Sequence, residues 1–236
     1  MVSGGRLHLM EHVQVAAAWE GRVLVLAPHY DDETIGCGGW LAGFPFKRWV
    51  RVIFVCDGRG SPSLRSRGRV LPSGVEMGAV RRAEAEAALA TLGLSRDQME
   101  CWEFPDGSLG QRWEELTERL RAELTARPCR LLFLPFRYDR HSDHEVLSRV
   151  GRWMALSQFP APEVREYFVY YRRRLFPQGD IRRMVVPDFL IREDLSEAQR
   201  SMKRAALMCY RTQTEYGPWG APALSPSLIE DIVAGP

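Results

Sequence analysis

The stretch Val23-Leu24-Val25-Leu26-Ala27-Pro28-His29-Tyr30-Asp31-Asp32-Glu33 runs an apolar segment into an imidazole and three carboxylates, and a Gly-rich helical start follows at 34–41. A short β-rich run before a turn reads as a buried strand. The charged cluster therefore stands at the end of a strand. One His and two adjacent Asp supply a nitrogen ligand, an oxygen ligand and a further carboxylate free to accept a proton, which is what metal-assisted hydrolysis requires. A third ligand has to come from elsewhere in the chain.

Working outward, short apolar runs at 22–27, 50–55, 99–104 and 130–135 alternate with segments of helical period at 76–92 and 112–126. Gly93 suits a C-terminal cap for the first helix, and the second stops before Pro128. Alternation of this kind predicts an α/β fold, a Rossmann-like three-layer sandwich with a mostly parallel sheet, helices on both faces and ligands beyond the carboxyl ends of the strands. The final third reads as added strands at 166–171 and 184–191 and a helix at 197–210. The segment 59–78, rich in Gly, Ser, Arg and Pro, is a long loop placed to wall or cover the site.

The chain of 236 residues is 45% hydrophobic and 26% charged, ample for a substantial core, and its size suits one domain with a core over about 22–213. A formal charge of +2 with dispersed basic residues disfavours nucleic acid as a partner. Residues 1–20 lack a basic-then-apolar signal layout, and no apolar run approaches the ~20 residues that span a bilayer, so a soluble cytoplasmic protein is expected. Five cysteines with no C-x-x-C pair suggest neither a thiolate zinc site nor a disulfide framework; Cys56, ending the second apolar run, is expected to be structural.

The missing ligand lies in Arg137-Tyr138-Asp139-Arg140-His141-Ser142-Asp143-His144, directly after the strand that ends at Pro135. Of five His in the chain, three fall in carboxylate-rich segments at strand ends, while His8 and His12 lie near the start. Their joint placement favours a metal site over three separate structural roles.

His29-Tyr30-Asp31-Asp32-Glu33 and His141-Ser142-Asp143-His144 resemble the His-Pro-Asp-Asp-Glu and His-x-Asp-His motifs of the PIG-L/LmbE-type metal-dependent N-deacetylases. Arg81 and Glu84, Leu92-Gly93, Pro105-Asp106-Gly107 and the segment from Lys203 to Gln213 are also similar to family features, so the resemblance covers nearly the whole chain. It implies that His29, Asp32 and His144 ligate a metal, zinc or alternatively Fe(II) or another divalent ion, and that Asp31 is the general base. It leaves His141 to stabilise or protonate the tetrahedral intermediate, with Asp143 orienting His141 and favouring its charged form. The implied reaction is removal of the acetyl group from an N-acetylglucosamine-type sugar or sugar conjugate; hydrolysis of another amide or a thiol conjugate, and metal or sugar binding without catalysis, are the alternatives. The expected partner is a small sugar-conjugate substrate, and a homo-oligomer is compatible with the sequence.

Two departures bear on the substrate. Tyr30 stands where the family has Pro, which places it at the mouth as a stacking surface for a sugar; Ser142 stands where Pro is frequent. Arg81 is expected to bind substrate hydroxyls or a phosphate, and Asp106 either to bind a sugar hydroxyl or to shape the turn with Gly107. Glu33 is read as an anchor at the helix start, where the dipole favours a carboxylate. Phe168, Tyr170, Tyr171 and Arg172 to Arg174 read as a solvated edge, with contact to an anionic group as the alternative.

Overall fold

The computed structural model describes residues 21–60, 77–170, 185–191, 193–215 and 222–234. Its strands are β1 (Val23–Ala27), β2 (Val50–Cys56), β3 (Met99–Phe104), β4 (Leu131–Pro135) and β5 (Glu163–Tyr167). The helices are α1 (Asp32–Gly43), α2 (Met77–Thr91), α3 (Trp113–Ala126), α4 (Ser142–Leu156), α5 (Glu197–Cys209), α6 (Arg211–Thr214) and α7 (Pro226–Ala234).

The strands form one five-stranded sheet in the order β3-β2-β1-β4-β5, every neighbouring pair parallel. Val23 pairs with Val50 on one side and Leu131 on the other, so β1 is the central strand. The pleat sorts its side chains by parity. Val23, Val25 and Ala27 enter one core, under α1, α2, α5 and α7; Leu24 and Leu26 enter the other, under α3 and α4. Covered on both faces, β1 and β4 carry unbroken apolar runs, as buried parallel strands do. Each Leu or Val so buried contributes roughly 1.5–3 kcal/mol.

Chain connections leave β1 toward β2 on one side, while β4 is added on the other, so β1 and β4 flank the point where strand order reverses. Ligands of doubly wound sheets sit outside the carboxyl ends at such a point. The two His- and Asp-bearing segments, after β1 and after β4, are delivered to it by topology alone.

The four expected strands of the sheet and the helices at 76–92, 112–126 and 197–210 are present to within one or two residues. Two expectations in the last third are corrected. The strand expected at 166–171 lies at Glu163–Tyr167. In place of the strand expected at 184–191, the described residues 185–191 contain a single 3-10 turn, Pro187–Phe189, because Pro187 has a fixed φ and no N–H for a ladder. Helix α4 was not anticipated. Gly151 interrupts its pattern, yet Leu147, Val150 and Met154 form a buried stripe, and a Cβ at Gly151 would press on Leu134. Most of the 59–78 loop, and Tyr171 with Arg172 to Arg174, lie outside the described residues. Among the described residues no helix is long and apolar enough to cross a membrane.

Helix α1 seats close to β5 at Gly36, where a Cβ would overlap the ring of Tyr167. That ring cannot swing aside, since its hydroxyl donates to Leu26 O at 2.8 Å. Gly36→Ala is therefore expected to lower unfolding free energy by about 1–3 kcal/mol in urea titration. Gly110→Ala, which meets only Val146 Cγ2 at 3.9 Å, is the control. Equal midpoints for the two variants would show that α1 does not pack this closely.

Candidate active site

The chain leaves β1 through Pro28, whose carbonyl accepts Cys56 N–H at 2.9 Å, and turns at Asp31. Asp31 caps α1 in a left-handed conformation, φ 112° and ψ −27°, sparsely populated for a residue with a side chain. Its carbonyl accepts from Thr34 N and Ile35 N, beginning the helix. Asp32 and Glu33 occupy the first turn, where the helix dipole favours negative charge. The turn folds Asp32 back on His29: Asp32 Oδ2 accepts His29 N–H at 2.8 Å and stands 3.3 Å from His29 Nδ1.

At the end of β4, His141 caps α4 by accepting Asp143 N–H on Nδ1 at 3.3 Å. The neutral ring then carries its proton on Nε2. Asp143 and His144 follow in the first turn, both fully buried. His144 Nε2 lies 3.2 Å from Asp32 Oδ2 and 3.3 Å from His29 Nδ1, so three atoms from two strand ends converge.

Outer carboxylates decide what those atoms carry. His29 Nε2 contacts Asp143 Oδ2 at 3.1 Å, and His144 Nδ1 contacts Asp139 Oδ2 at 2.8 Å. A carboxylate is an acceptor only, so the proton of each neutral imidazole sits on the outer nitrogen and the inner nitrogen presents a lone pair. Two nitrogen lone pairs and a carboxylate oxygen facing one another repel unless a cation is shared among them. Zinc–ligand distances of about 2.0–2.1 Å in a tetrahedron put ligand atoms roughly 3.3 Å apart, so the observed spacing of 3.2–3.3 Å fits such an ion. His29, His141 and His144 also offer nitrogens within 4.8 Å of one another, as do His29, Cys56 and Asp143 with their own donor atoms. Asp32 Oδ2 is nearer to both inner nitrogens than that.

Charge in the cluster is strongly redistributed. Burial opposes ionisation of His29, but Asp143 and Asp32 outweigh it and hold the imidazole well above its ordinary pKa; His144 is raised likewise, chiefly by Asp32. Asp32 is held far below the usual carboxylate range, the two imidazoles overcoming its burial. Asp31 is pushed up to about 8 by burial, opposed by Arg81 and reinforced by Asp32 and Glu33. His141 falls to about 4 through burial and the neighbouring His29 and His144.

The structure brings His29, Asp31, Asp32, His141, Asp143 and His144 together and reassigns several neighbours. The Asp143 carboxylate serves His29 and is 4.0 Å from His141 Nδ1; it is the Asp143 backbone N–H, donated to that nitrogen, that orients His141, and the pull of the carboxylate toward the charged imidazole is outweighed by burial. Asp143 Oδ2 and Oδ1 also accept Gly107 N–H and Leu109 N–H, at 2.7 and 3.2 Å. Tyr30 is not at the mouth. It is 2% exposed, its ring packing on Phe54 at 4.9 Å, because the step out of β1 sends that side chain into the α-helical core. Arg81, expected to meet substrate, is buried and donates to Tyr30 O at 2.7 Å and Gly58 O at 3.4 Å, with Nη2 3.8 Å from Asp31 Oδ2. Asp106 spends its carboxylate on Gly58 N–H and Gly60 N–H, at 3.1 and 2.6 Å, a loop-shaping contact. Cys56 is fully buried, with Sγ 3.8 Å from Asp143 Oδ2. Asp139 and Tyr210 were missed; a carboxylate five residues before a candidate ligand, His144, was the available signal for the first, and nothing local marked the second.

The sequence profile described as GlcNAc-PI de-N-acetylase (PIG-L) matches residues 24–155. Among solved structures, the conserved protein TT1542 from Thermus thermophilus is similar at 25% identity and TM-score 0.61, covering 90% of this chain and 85% of that one. The A40926 pseudoaglycone deacetylase is similar at 23% identity and TM-score 0.59, over 81% and 82% of the two chains. The N,N'-diacetylchitobiose deacetylase of Pyrococcus horikoshii is similar at 20% and 0.53, over 91% and 81%. These likenesses establish a shared fold.

Arg81→Met would leave Tyr30 O and Gly58 O without a charged donor, and such hydrogen bonds are worth about 1.5–3 kcal/mol. A loss of that size in unfolding free energy is expected, and stability within about 0.5 kcal/mol of the parent, the range of ordinary surface substitutions, would contradict a structural clamp.

Proposed function

As the chain belongs to the GlcNAc-PI de-N-acetylase (PIG-L) family, we propose that it is a metal-dependent N-deacetylase that hydrolyses the acetamido group of an N-acetylglucosamine-type sugar conjugate to acetate and a free amine. The observation that carries this reading is the convergence of His29 Nδ1, Asp32 Oδ2 and His144 Nε2 at 3.2–3.3 Å beside a buried Asp31 that spends no oxygen on the metal set. Two imidazoles and one carboxylate form a catalytic ligand pattern rather than a closed structural one.

These three residues hold the metal, zinc by preference, with Fe(II) accepted by the same donors. When bound, the ion lowers the pKa of water to about 7 and polarises the amide carbonyl. Everything else falls to the protein. Asp31 takes the proton from the attacking water on its carboxylate; positive charge in the site lowers the pKa that burial raises, keeping that carboxylate ionised. His141, with Nδ1 tied to the α4 backbone, keeps its Nε2 proton as a donor for the oxygen that gains negative charge. A preorganised donor of that kind is worth about 3–4 kcal/mol. Asp143 and Asp139 fix the tautomers of His29 and His144 so that the lone pairs face inward. Arg81 holds the peptide before Asp31, and Tyr30 fills the core behind it. The collapse of the intermediate breaks the C–N bond, and the nitrogen departs as an amine after gaining a proton.

Zinc-loaded protein is expected to release amine and acetate from at least one of free, nucleotide-linked, inositol-linked or glycopeptide-linked N-acetylglucosamine, and chelation is expected to abolish the release. Metal-loaded protein that leaves all four intact would sink the reading. Asp31→Asn should retain the metal and lose about 10²–10⁴-fold in kcat, the usual worth of a general base. Asp139→Asn should instead weaken metal affinity by about 10–100-fold, measured by competition with a chromogenic chelator.

A further inference from the structure

We infer that Tyr210 is a positioning residue for Asp31, acting through buried Glu33, and that Tyr210 and Thr212, at the corner where α5 meets α6, brace the base from both sides. The inference rests on Asp31 being the base.

Asp31 occupies backbone space that a side chain disfavours, with φ 112°, so its neighbours must over-determine it. Its amide N–H donates to Glu33 Oε2 at 3.3 Å. Glu33 is fully buried, and its other oxygen accepts the Tyr210 hydroxyl at 2.5 Å and the Thr34 hydroxyl. Tyr210 thereby fixes the carboxylate that fixes the Asp31 amide. On the opposite side, Arg81 holds the carbonyl of Tyr30, the residue before Asp31, at 2.7 Å. Arg81 lies one turn from Glu84 on α2, and Glu84 accepts Thr212 N–H at 2.8 Å and the Thr212 hydroxyl at 2.6 Å.

The two clamps on Asp31 thus belong to different helices, α1 and α2, and Tyr210 and Thr212, two positions apart, tie both helices together. Tyr210 is fully buried and Thr212 nearly so, which removes both from contact with substrate. Their side-chain hydrogen bonds go to Glu33 and Glu84 and not to His29, Asp32 or His144. What remains for this corner is the placement of the Asp31 carboxylate, and a misplacement of about 1 Å at a reacting group costs roughly 100-fold in rate.

Tyr210→Phe keeps the ring and removes only the hydroxyl, so the protein is expected to fold and bind metal as the parent does. Its kcat should fall about 10–100-fold with KM unchanged. In an Asp31→Asn background the same change should cost nothing further, since a brace has no effect once the base is gone. An equal fall in both backgrounds, or a parental kcat in the single variant, overturns the proposal. Should the parent protein fail to deacetylate any substrate, a crystal structure of Tyr210→Phe still decides: Asp31 released from its left-handed φ supports the brace, and Asp31 unmoved refutes it. Thr212→Val tests the Arg81 side by the same readouts if the first variant folds poorly.

Discussion

The two halves of the site meet at one carboxylate oxygen. Asp32 Oδ2 takes the His29 backbone N–H at 2.8 Å and stands 3.3 Å from His29 Nδ1 and 3.2 Å from His144 Nε2. It therefore links the turn after β1 to the first turn of α4, across the place where strand order reverses. Neither strand end alone makes a site. The parallel sheet brings them together, and the apolar runs of β1 and β4 fix that sheet.

A cluster this dense in carboxylates is costly to bury unless each is given donors. Asp143 receives two backbone N–H groups besides His29; Asp139 receives Tyr170 N–H at 3.0 Å besides His144; Glu33 receives an amide and two hydroxyls. These donors come from loops and helix ends that converge on the crevice. Each outer carboxylate thus stabilises one inner group in one orientation, and the energy of its burial is recovered as preorganisation of the site.

Much of this was legible in the residues. Strand positions followed from short apolar runs bounded by turns, and the ligand candidates followed from imidazoles beside carboxylates at strand ends. The rest depended on which way a side chain leaves the backbone. Tyr30 reads as a residue at the mouth because its neighbours are reactive, yet the turn that brings His29 and Asp32 together sends residue 30 to the opposite side, onto Phe54. Asp143 reads as a partner of His141, two residues away, but His141 Nδ1 is spent on the helix start and the carboxylate reaches back to His29. Helix α4 was hidden by Gly151, a residue that costs helix propensity and is kept because Leu134 leaves no room for a Cβ. Tyr210 and Glu33, separated by 177 positions, are joined only by the tertiary fold.

The relocation of Tyr30 changes where aromatic recognition can occur. With that ring 2% exposed, the aromatic beside the imidazoles among the described residues is Tyr170, nearly parallel to His141 at 14° with ring centroids 6.0 Å apart, and 5.2 Å from His144. Its backbone N–H is held by Asp139, the same carboxylate that orients His144. A single buried acid therefore couples the inward-facing nitrogen of His144 to the ring that flanks His141. The segments after β1 and after β4 thus both supply titratable groups, and the aromatic surface beside them comes from the end of β5.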